Sequence, residues 1–228
     1  HCEYHTRFQP ANRECTACSR TLIGEFSGRE INWGASLYRV REFVGGGGMG
    51  EVYRAIEQNQ AGTYEREVAI KFNKNVMDRD IVKRFELEMQ ILGMLQSPHN
   101  VNVLTNGELY DERATGMQVT AQFMVMELLK GGELFKRLTV DSEHGRFTEA
   151  DALHATKQMV SAVSYLHSRN IVHRDLKLEN FVYRAPKGTP GGDDLVLIDF
   201  GLSVRYEEVS RGSRDGLMHD IVGSSYYI

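Results

Sequence analysis

The residues best equipped for chemistry sit in one octapeptide, His173-Arg174-Asp175-Leu176-Lys177-Leu178-Glu179-Asn180, which sets two carboxylates, two cations and an amide between an apolar helical pattern and a short apolar run. Alone, such a charged octapeptide reads as a solvated turn. Its company argues for a site. Asp199-Phe200-Gly201 follows it, the run Gly45-Gly46-Gly47-Gly48-Met49-Gly50 precedes it, and Val68-Ala69-Ile70-Lys71 lies between glycines and octapeptide. Glycines carry no Cβ, so their backbone N–H groups can come close to phosphate oxygens. A second constellation lies near the start. Cys2-x-x-His5 and Cys15-x-x-Cys18 form two chelate-like pairs that use all 3 cysteines, at the spacing with which short knuckles present sulfur and nitrogen to Zn2+. The same stretch reads otherwise as a polar leader with free thiols.

The elements that must hold these groups follow from apolar periodicity. Residues 1 to about 33 show neither helical nor strand period. From Tyr38 to Ile56, strand-like residues (Tyr38, Val40, Phe43, Val44, then Val52, Tyr53, Ile56) flank the glycines, which predicts a hairpin. A dinucleotide-binding fold would need a helix after the glycines, and Glu51-Val52-Tyr53 reads as strand; Glu51 also stands where a Walker loop needs Lys. Glu57 to Glu67 reads as a polar hairpin tip. In the strand Val68 to Phe72, alternation puts Ala69 and Lys71 on one face, so Lys71 projects beside a small residue that leaves room for a flat ligand. Asp78 caps a helix to about Leu95 with Ile81, Phe85, Leu92 and Leu95 inward. Glu88 falls on that same face, where a desolvated carboxylate costs several kcal/mol unless a cation meets it, and Lys71 is the candidate cation.

Val101 to Leu104 and Gln118 to Met126 read as further strands, with Asn106 to Gly116 as a polar turn. Leu128 to Glu133 breaks the strand pattern with two glycines, as a hinge between lobes does. Thr148 and Asp151 form a capping box for a helix with Ala152, Ala155, Met159, Ala162, Val163 and Leu166 inward. Its end delivers the octapeptide. Arg184 to Asp194 is a Pro- and Gly-punctuated insertion between Phe181-Val182-Tyr183 and Leu195-Val196-Leu197-Ile198.

At 228 residues, 41% hydrophobic and 25% charged, the chain has the composition of an ordinary globular protein. No apolar run reaches the ~20 residues of a membrane helix and no apolar secretory core opens the chain, so an intracellular protein is expected. A net charge of −4 gives no global attraction to nucleic acid or anionic lipid. An odd cysteine count argues against a disulfide framework. The sequence begins without Met and stops after Tyr226-Tyr227-Ile228, as a fragment would.

From Tyr38 to Ile228 these motifs stand in the order of a eukaryotic protein kinase, which the chain resembles. The resemblance implies an α+β, two-lobed fold: a Cys/His leader over 1–36, a β-rich N-lobe over 37–128 and a helical, incomplete C-lobe over 129–228. It implies ATP as nucleotide, cradled by Gly45, Gly47 and Gly50, with Lys71 on the α- and β-phosphates and Glu88 as its ion-pair partner. Val44, Val52 and Ala69 would roof the adenine. Met126 matches the gatekeeper, Glu127 and Leu129 the hinge hydrogen bonds, and Glu133 the ribose contact. Asp175 matches the catalytic base, Lys177 the cation that neutralises the transferring phosphoryl, and Asn180 and Asp199 the Mg2+ ligands. Lys177 two places after Asp175 is the serine/threonine pattern, and Ser224 agrees with it. Protein Ser/Thr substrates are therefore expected.

Met126-Glu127, Gly131-Gly132-Glu133-Leu134-Phe135, Glu179-Asn180-Phe181, Ile198 to Ser203 and Gly223 to Ile228 together resemble the calcium- and calmodulin-regulated group, calcium-dependent protein kinases in particular. No EF-hand loop is in the sequence, so a calcium sensor would act from outside it. Arg174 before Asp175 resembles kinases switched by activation-segment phosphorylation, for which Ser210 and Ser213 are the candidates. Leu178 replaces a frequent Pro and Met49 a usual aromatic, and neither removes a catalytic group. The Ala-Pro-Glu motif and later C-lobe helices are missing, so this stretch alone is expected to be marginally stable and weakly active. A pseudokinase or scaffold with a zinc-dependent docking leader is the competing expectation, opposed by intact Lys71, Asp175, Asn180 and Asp199.

Overall fold

The computed structural model describes residues 25–47, 50–111, 118–140, 146–206 and 223–224. They divide into two compact units, one comprising the chain up to Val82 with Leu104–Leu128, the other Lys83–Val103 with the chain from Leu129 onward.

The first unit is built on one six-stranded sheet. Its strands are β1 (Glu30–Trp33), β2 (Ser36–Gly47), β3 (Gly50–Asn59), β4 (Glu65–Asn73), β5 (Val103–Asp111) and β6 (Gln118–Glu127), in the order β1-β2-β3-β4-β6-β5. The hairpin around the glycines forms as expected: Gly47 pairs with Gly50, Gly46 with Glu51 and Gly45 with Val52. Register shifts between Val40 and Phe43 and between Phe43 and Gly45 mark bulges just before the turn, where extra residues raise local twist. Val68, Ile70 and Phe72 alternate into a core with Tyr53, Phe123 and Val125. Ala69 and Lys71, one residue out of phase, face the other side.

Two expectations for this unit are corrected. Residues 30–33 form an edge strand where no period was legible, because Ile31 pairs with Tyr38 and is buried while its neighbours Glu30 and Asn32 face water. The strand expected at Val101–Leu104 instead runs from Val103 to Asp111, through the first half of the turn expected at Asn106 to Gly116; residues 112–117 lie outside the described residues. The ring of Trp33 lies where a Cβ on Gly107 would project, and it meets Phe123 edge-on at 5.4 Å, so a turn-favouring glycine serves packing here.

α1 (Arg79–Met94) begins at Asp78, whose carboxylate accepts from the N–H groups of Asp80 and Ile81 at 3.0 and 3.2 Å. That satisfies two of the donors a helix start leaves unpaired. Its described buried residues are Phe85, Glu88, Ile91 and Leu92.

The second unit contains α2 (Leu134–Thr139), α3 (Glu149–His167) and two small sheets, β7 (Ile171–Val172) with β10 (Val204–Arg205) and β8 (Phe181–Tyr183) with β9 (Leu195–Leu197). Thr148 caps α3, accepting from Asp151 N–H at 3.1 Å and donating to its carboxylate at 2.7 Å. The buried face of α3 is Ala155, Gln158, Ala162 and Leu166. Gln158 stands where a purely apolar stripe was expected because it works on the backbone: its amide donates to Asp193 O at 2.8 Å and accepts from Leu195 N–H at 2.8 Å. β9 is fixed on its other side by Leu197, which donates to His99 O and accepts from Val101 N–H. No described helix is long and apolar enough to cross a membrane.

Candidate active site

In the second unit α3 ends at Ser168, and Asn170 at φ 56° turns the chain into β7. β7 and β10 then bring His173 and Ser203 together, with the Ser203 hydroxyl donating to His173 O at 3.3 Å. The His173 ring is buried edge-on to Phe200, centroids 4.9 Å apart. Its Nδ1 accepts from Asp175 N–H at 3.3 Å, which leaves Nε2–H to donate to Ile198 O at 3.1 Å. One tautomer thus ties the start of the octapeptide to the residue before Asp199. Burial holds the imidazole below its ordinary pKa, against the opposing pull of the Ile198 carbonyl and the Asp199 and Asp175 charges.

Lys177 and Asn180 of the octapeptide converge on Asp175. Lys177 Nζ donates to Asp175 Oδ2 at 2.7 Å, and Asn180 Nδ2 donates to the same oxygen at 3.1 Å and to Asp175 O at 2.8 Å. A single turn of 3-10 helix, Leu178–Asn180, reverses the chain so that Asn180 can reach back. Ser224 completes the cluster, donating to Asp175 Oδ1 at 2.7 Å and accepting from Lys177 Nζ at 2.7 Å. Burial alone would raise the Asp175 pKa. The hydrogen bonds from Lys177, Ser224 and Asn180 outweigh it and hold the carboxyl below its usual range. The group is therefore an anion at neutral pH, fixed in orientation on three sides.

Besides Asn170, two non-glycine residues occupy left-handed backbone, Arg174 at φ 66° and Asp199 at φ 61°. Each such conformation costs on the order of 1 kcal/mol and persists only where its surroundings impose it. Arg174 is held by its own side chain, whose Nε donates to Leu202 O at 2.7 Å. Asp199 follows Ile198, whose N–H donates to Asn180 O at 2.9 Å, so its backbone is set by the same turn that places Asn180. Glu133 is exposed at the start of α2, where its backbone bridges to Val182.

In the first unit, the strand register aligns Val52 with Lys71 and Lys71 with Met124, and Ala69 with Met126. Lys71 and Ala69 are 7% and 6% exposed on the face away from the aromatic core, as alternation requires. Val44 is exposed beside Gly45, and Met126 and Glu127 end β6 half-buried, just before Leu129. At Gly50, φ is 134° and a Cβ would lie 2.5 Å from Phe72 O, so only glycine fits. At Gly45 nothing lies within 4 Å of a Cβ. Glu88 is 3% exposed on α1 and belongs to the second unit.

Cys2, His5, Cys15, Cys18, Ser210, Ser213 and the tip residue Met49 lie outside the described residues. Among the described residues no group of three or more His, Cys, Asp and Glu is arranged to hold a metal ion. An amide, a carboxylate, phosphate oxygens and water suffice for Mg2+, and the donor set fits that: the Asn180 amide nitrogen is committed to Asp175, which leaves its side-chain oxygen as the acceptor. His173 had no role in the sequence reading, although a histidine two places before a buried aspartate was the available signal.

A protein of two such units, with a glycine hairpin and a lysine strand in one and an anchored Asp-Lys-Asn turn in the other, has the fold of a protein kinase. The sequence matches the family described as protein kinase domain over residues 38–228, and the chain belongs to that family. It is 35% identical over 167 residues to myosin light chain kinase A of Dictyostelium discoideum, covering 73% of this chain and 50% of that protein. It is 36% identical over 170 residues to human calcium/calmodulin-dependent protein kinase type 1B, covering 74% and 44% respectively. With the putative CBL-interacting protein kinase 13 of Oryza sativa subsp. japonica it shares 31% over 191 residues, 84% of this chain and 33% of that protein. The chain spans about a third to a half of the length of these curated relatives.

Proposed function

We propose that the protein transfers the γ-phosphoryl group of ATP to Ser or Thr hydroxyls of other proteins, within the calcium/calmodulin-dependent kind of kinase. The observation that carries this reading is the Asp175 carboxylate, ionised and fixed by Lys177, Asn180 and Ser224. A carboxylate with a depressed pKa is a poor base in the ground state but a well-placed acceptor. In a loose, metaphosphate-like transition state the nucleophile needs orientation more than early deprotonation. Asp175 accepts the hydrogen bond of the substrate hydroxyl, aims its oxygen in line, and takes the proton as the new O–P bond forms and the bridging bond to the diphosphate breaks. Lys177 sets a cation beside the phosphoryl in flight.

Lys71 would meet the α- and β-phosphates with Glu88 as its counter-charge, and Gly45, Gly47 and Gly50 would bring backbone N–H groups to the phosphates. Val44, Val52 and Ala69 would pack on the base, Met126 would gate its rear, Glu127 and Leu129 would bond its edge through their backbone, and Glu133 would meet the ribose. Asn180 and Asp199 would hold Mg2+, which supplies charge neutralisation on the phosphates when bound. Control by a calcium sensor, and an intracellular location where ATP is plentiful, belong to the same proposal, supported by the likeness to calcium/calmodulin-dependent kinases.

The test is Mg2+-dependent phosphate transfer to a Ser/Thr peptide by the natural protein that contains this chain, beside Asp175→Asn. Transfer that disappears in the variant while ATP still binds supports the reading. ATP binding without transfer in the unaltered protein would favour a scaffold instead.

A further inference from the structure

Residues 25 to 33 precede the stretch that matches the kinase domain, yet Phe26 and Ile31 are part of the buried core of the first sheet. Phe26 lies flat on Phe72, centroids 4.0 Å and planes 3° apart, and edge-on to Tyr53 at 5.8 Å. Its N–H donates to the Tyr53 hydroxyl at 3.4 Å, and that hydroxyl donates to Glu51 Oε2 at 2.6 Å. Lys74 Nζ donates to the other Glu51 oxygen at 2.8 Å and stands 3.6 Å from Glu25 Oε2. Glu51 directly follows Gly50 and pairs with Gly46 on one side and Phe72 on the other. The upstream segment, the foot of the glycine hairpin and the end of β4 therefore meet at one corner of the sheet.

We infer that the segment from Glu25 to Trp33 is a strap that holds the glycine hairpin in its nucleotide-accepting shape, with Phe26 as a positioning residue for ATP. This rests on the proposed assignment of Gly45, Gly47 and Gly50 to the phosphates. β1 pairs along β2 at the far end of the sheet, so at the glycine end the strap acts through Phe26 and Glu25, by way of Tyr53, Phe72, Lys74 and Glu51. A loosened corner lets the hairpin visit other conformations, and apparent affinity falls by the fraction of time it spends competent. Saturating ATP refills that fraction, so the turnover rate is spared.

Ile31 supplies an internal control. It is as deeply buried in the same strap, but its register partner Tyr38 pairs with Glu57, at the end of the sheet away from the glycines. In the full chain, Phe26→Ala, Phe26→Leu and Ile31→Ala are compared for melting temperature, Mg2+-ATP dissociation constant, KM for ATP and kcat. Phe26→Ala and Ile31→Ala are expected to melt earlier by similar amounts. Only Phe26→Ala should raise the dissociation constant and KM, about three- to tenfold with kcat within twofold, and Phe26→Leu should recover most of the affinity. Should Phe26→Ala fail to fold, Phe26→Leu against Ile31→Ala decides by the same split on a smaller scale. Equal ATP affinities in the Phe26 and Ile31 variants would overturn the inference while leaving the kinase reading intact. Absence of ATP binding in the unaltered protein would instead overturn the kinase reading.

Discussion

Ser224 donates to Asp175 Oδ1 at 2.7 Å, joining two residues 49 positions apart and giving the carboxylate its only described hydroxyl donor. The same oxygen of Ser224 accepts from Lys177 Nζ, so one side chain bridges the base and its cation alongside their direct contact. A hydrogen bond to a charged group is worth ~1.5–3 kcal/mol. Ser224→Ala should therefore lower kcat by about ten- to a hundredfold with KM for ATP little changed. Ser224→Thr, which keeps the hydroxyl, should restore most of the rate. Removing one of the bonds that depress the Asp175 pKa should also shift the acid limb of the rate profile to higher pH. Peptide phosphorylation across pH by the three proteins checks this, and an unchanged kcat in Ser224→Ala would make the contact incidental.

His173 makes stability depend on pH. Its folded pKa lies below the ordinary 6.5, so the unfolded chain binds the extra proton first as pH falls. The stabilisation is fully present above the unfolded value and is lost as pH drops through about 6.5 toward the folded pKa. One such proton contributes a slope of at most ~1.4 kcal/mol per pH unit. Denaturant unfolding between pH 7.5 and 5.5 should show a shallower decline in His173→Gln than in the unaltered protein.

The two outer glycines of the hairpin separate a structural cost from a binding cost. Gly50→Ala puts a Cβ 2.5 Å from Phe72 O on a positive φ, so both melting temperature and ATP affinity should fall. Gly45→Ala meets no atom within 4 Å, so melting should hold while ATP affinity falls, because only an incoming phosphate would feel the methyl group. Unchanged affinity in Gly45→Ala would remove Gly45 from the phosphate site.

What the sequence made legible was local. The strand carrying Lys71 declares its faces by alternation, whereas Asp175, Lys177 and Asn180, though close in the chain, read as a site only through the order of the surrounding motifs and the resemblance to protein kinases. The strand at Glu30–Trp33 has only four residues and becomes a strand by pairing with β2, which no local pattern records. Asn106-Gly107 reads as a turn because its chemistry favours one; the ring of Trp33, over 70 residues upstream, is what gives that glycine its place in a strand. The Tyr53–Glu51–Lys74 network was hidden for the same reason, being assembled by register between strands. The insertion Arg184–Asp194 carried no readable function, and its structural anchor comes from a distant helix.

That anchor is Arg137 on α2. Its side chain is 8% exposed, and the guanidinium donates to Gly192 O at 2.8 Å and Gly131 O at 3.0 Å and lies 3.4 Å over the Tyr183 ring. It is also 3.6 Å from Asp193, but that carboxylate is 74% exposed, so water screens the ion pair to little value. The backbone bonds and the ring stacking should dominate. Arg137→Ala strands one buried and one half-buried carbonyl and removes the stacking on Tyr183, and should cost about 3 kcal/mol. Arg137→Lys keeps the charge but not the planar fork that reaches both carbonyls, so it should recover less than half of the loss. Asp193→Ala should stay within ~0.5 kcal/mol of the unaltered protein. Denaturant midpoints of the three variants measure this directly. If Asp193→Ala proved as damaging as Arg137→Ala, the salt bridge would outweigh the carbonyl bonds, and the insertion would be held by charge rather than by backbone hydrogen bonding.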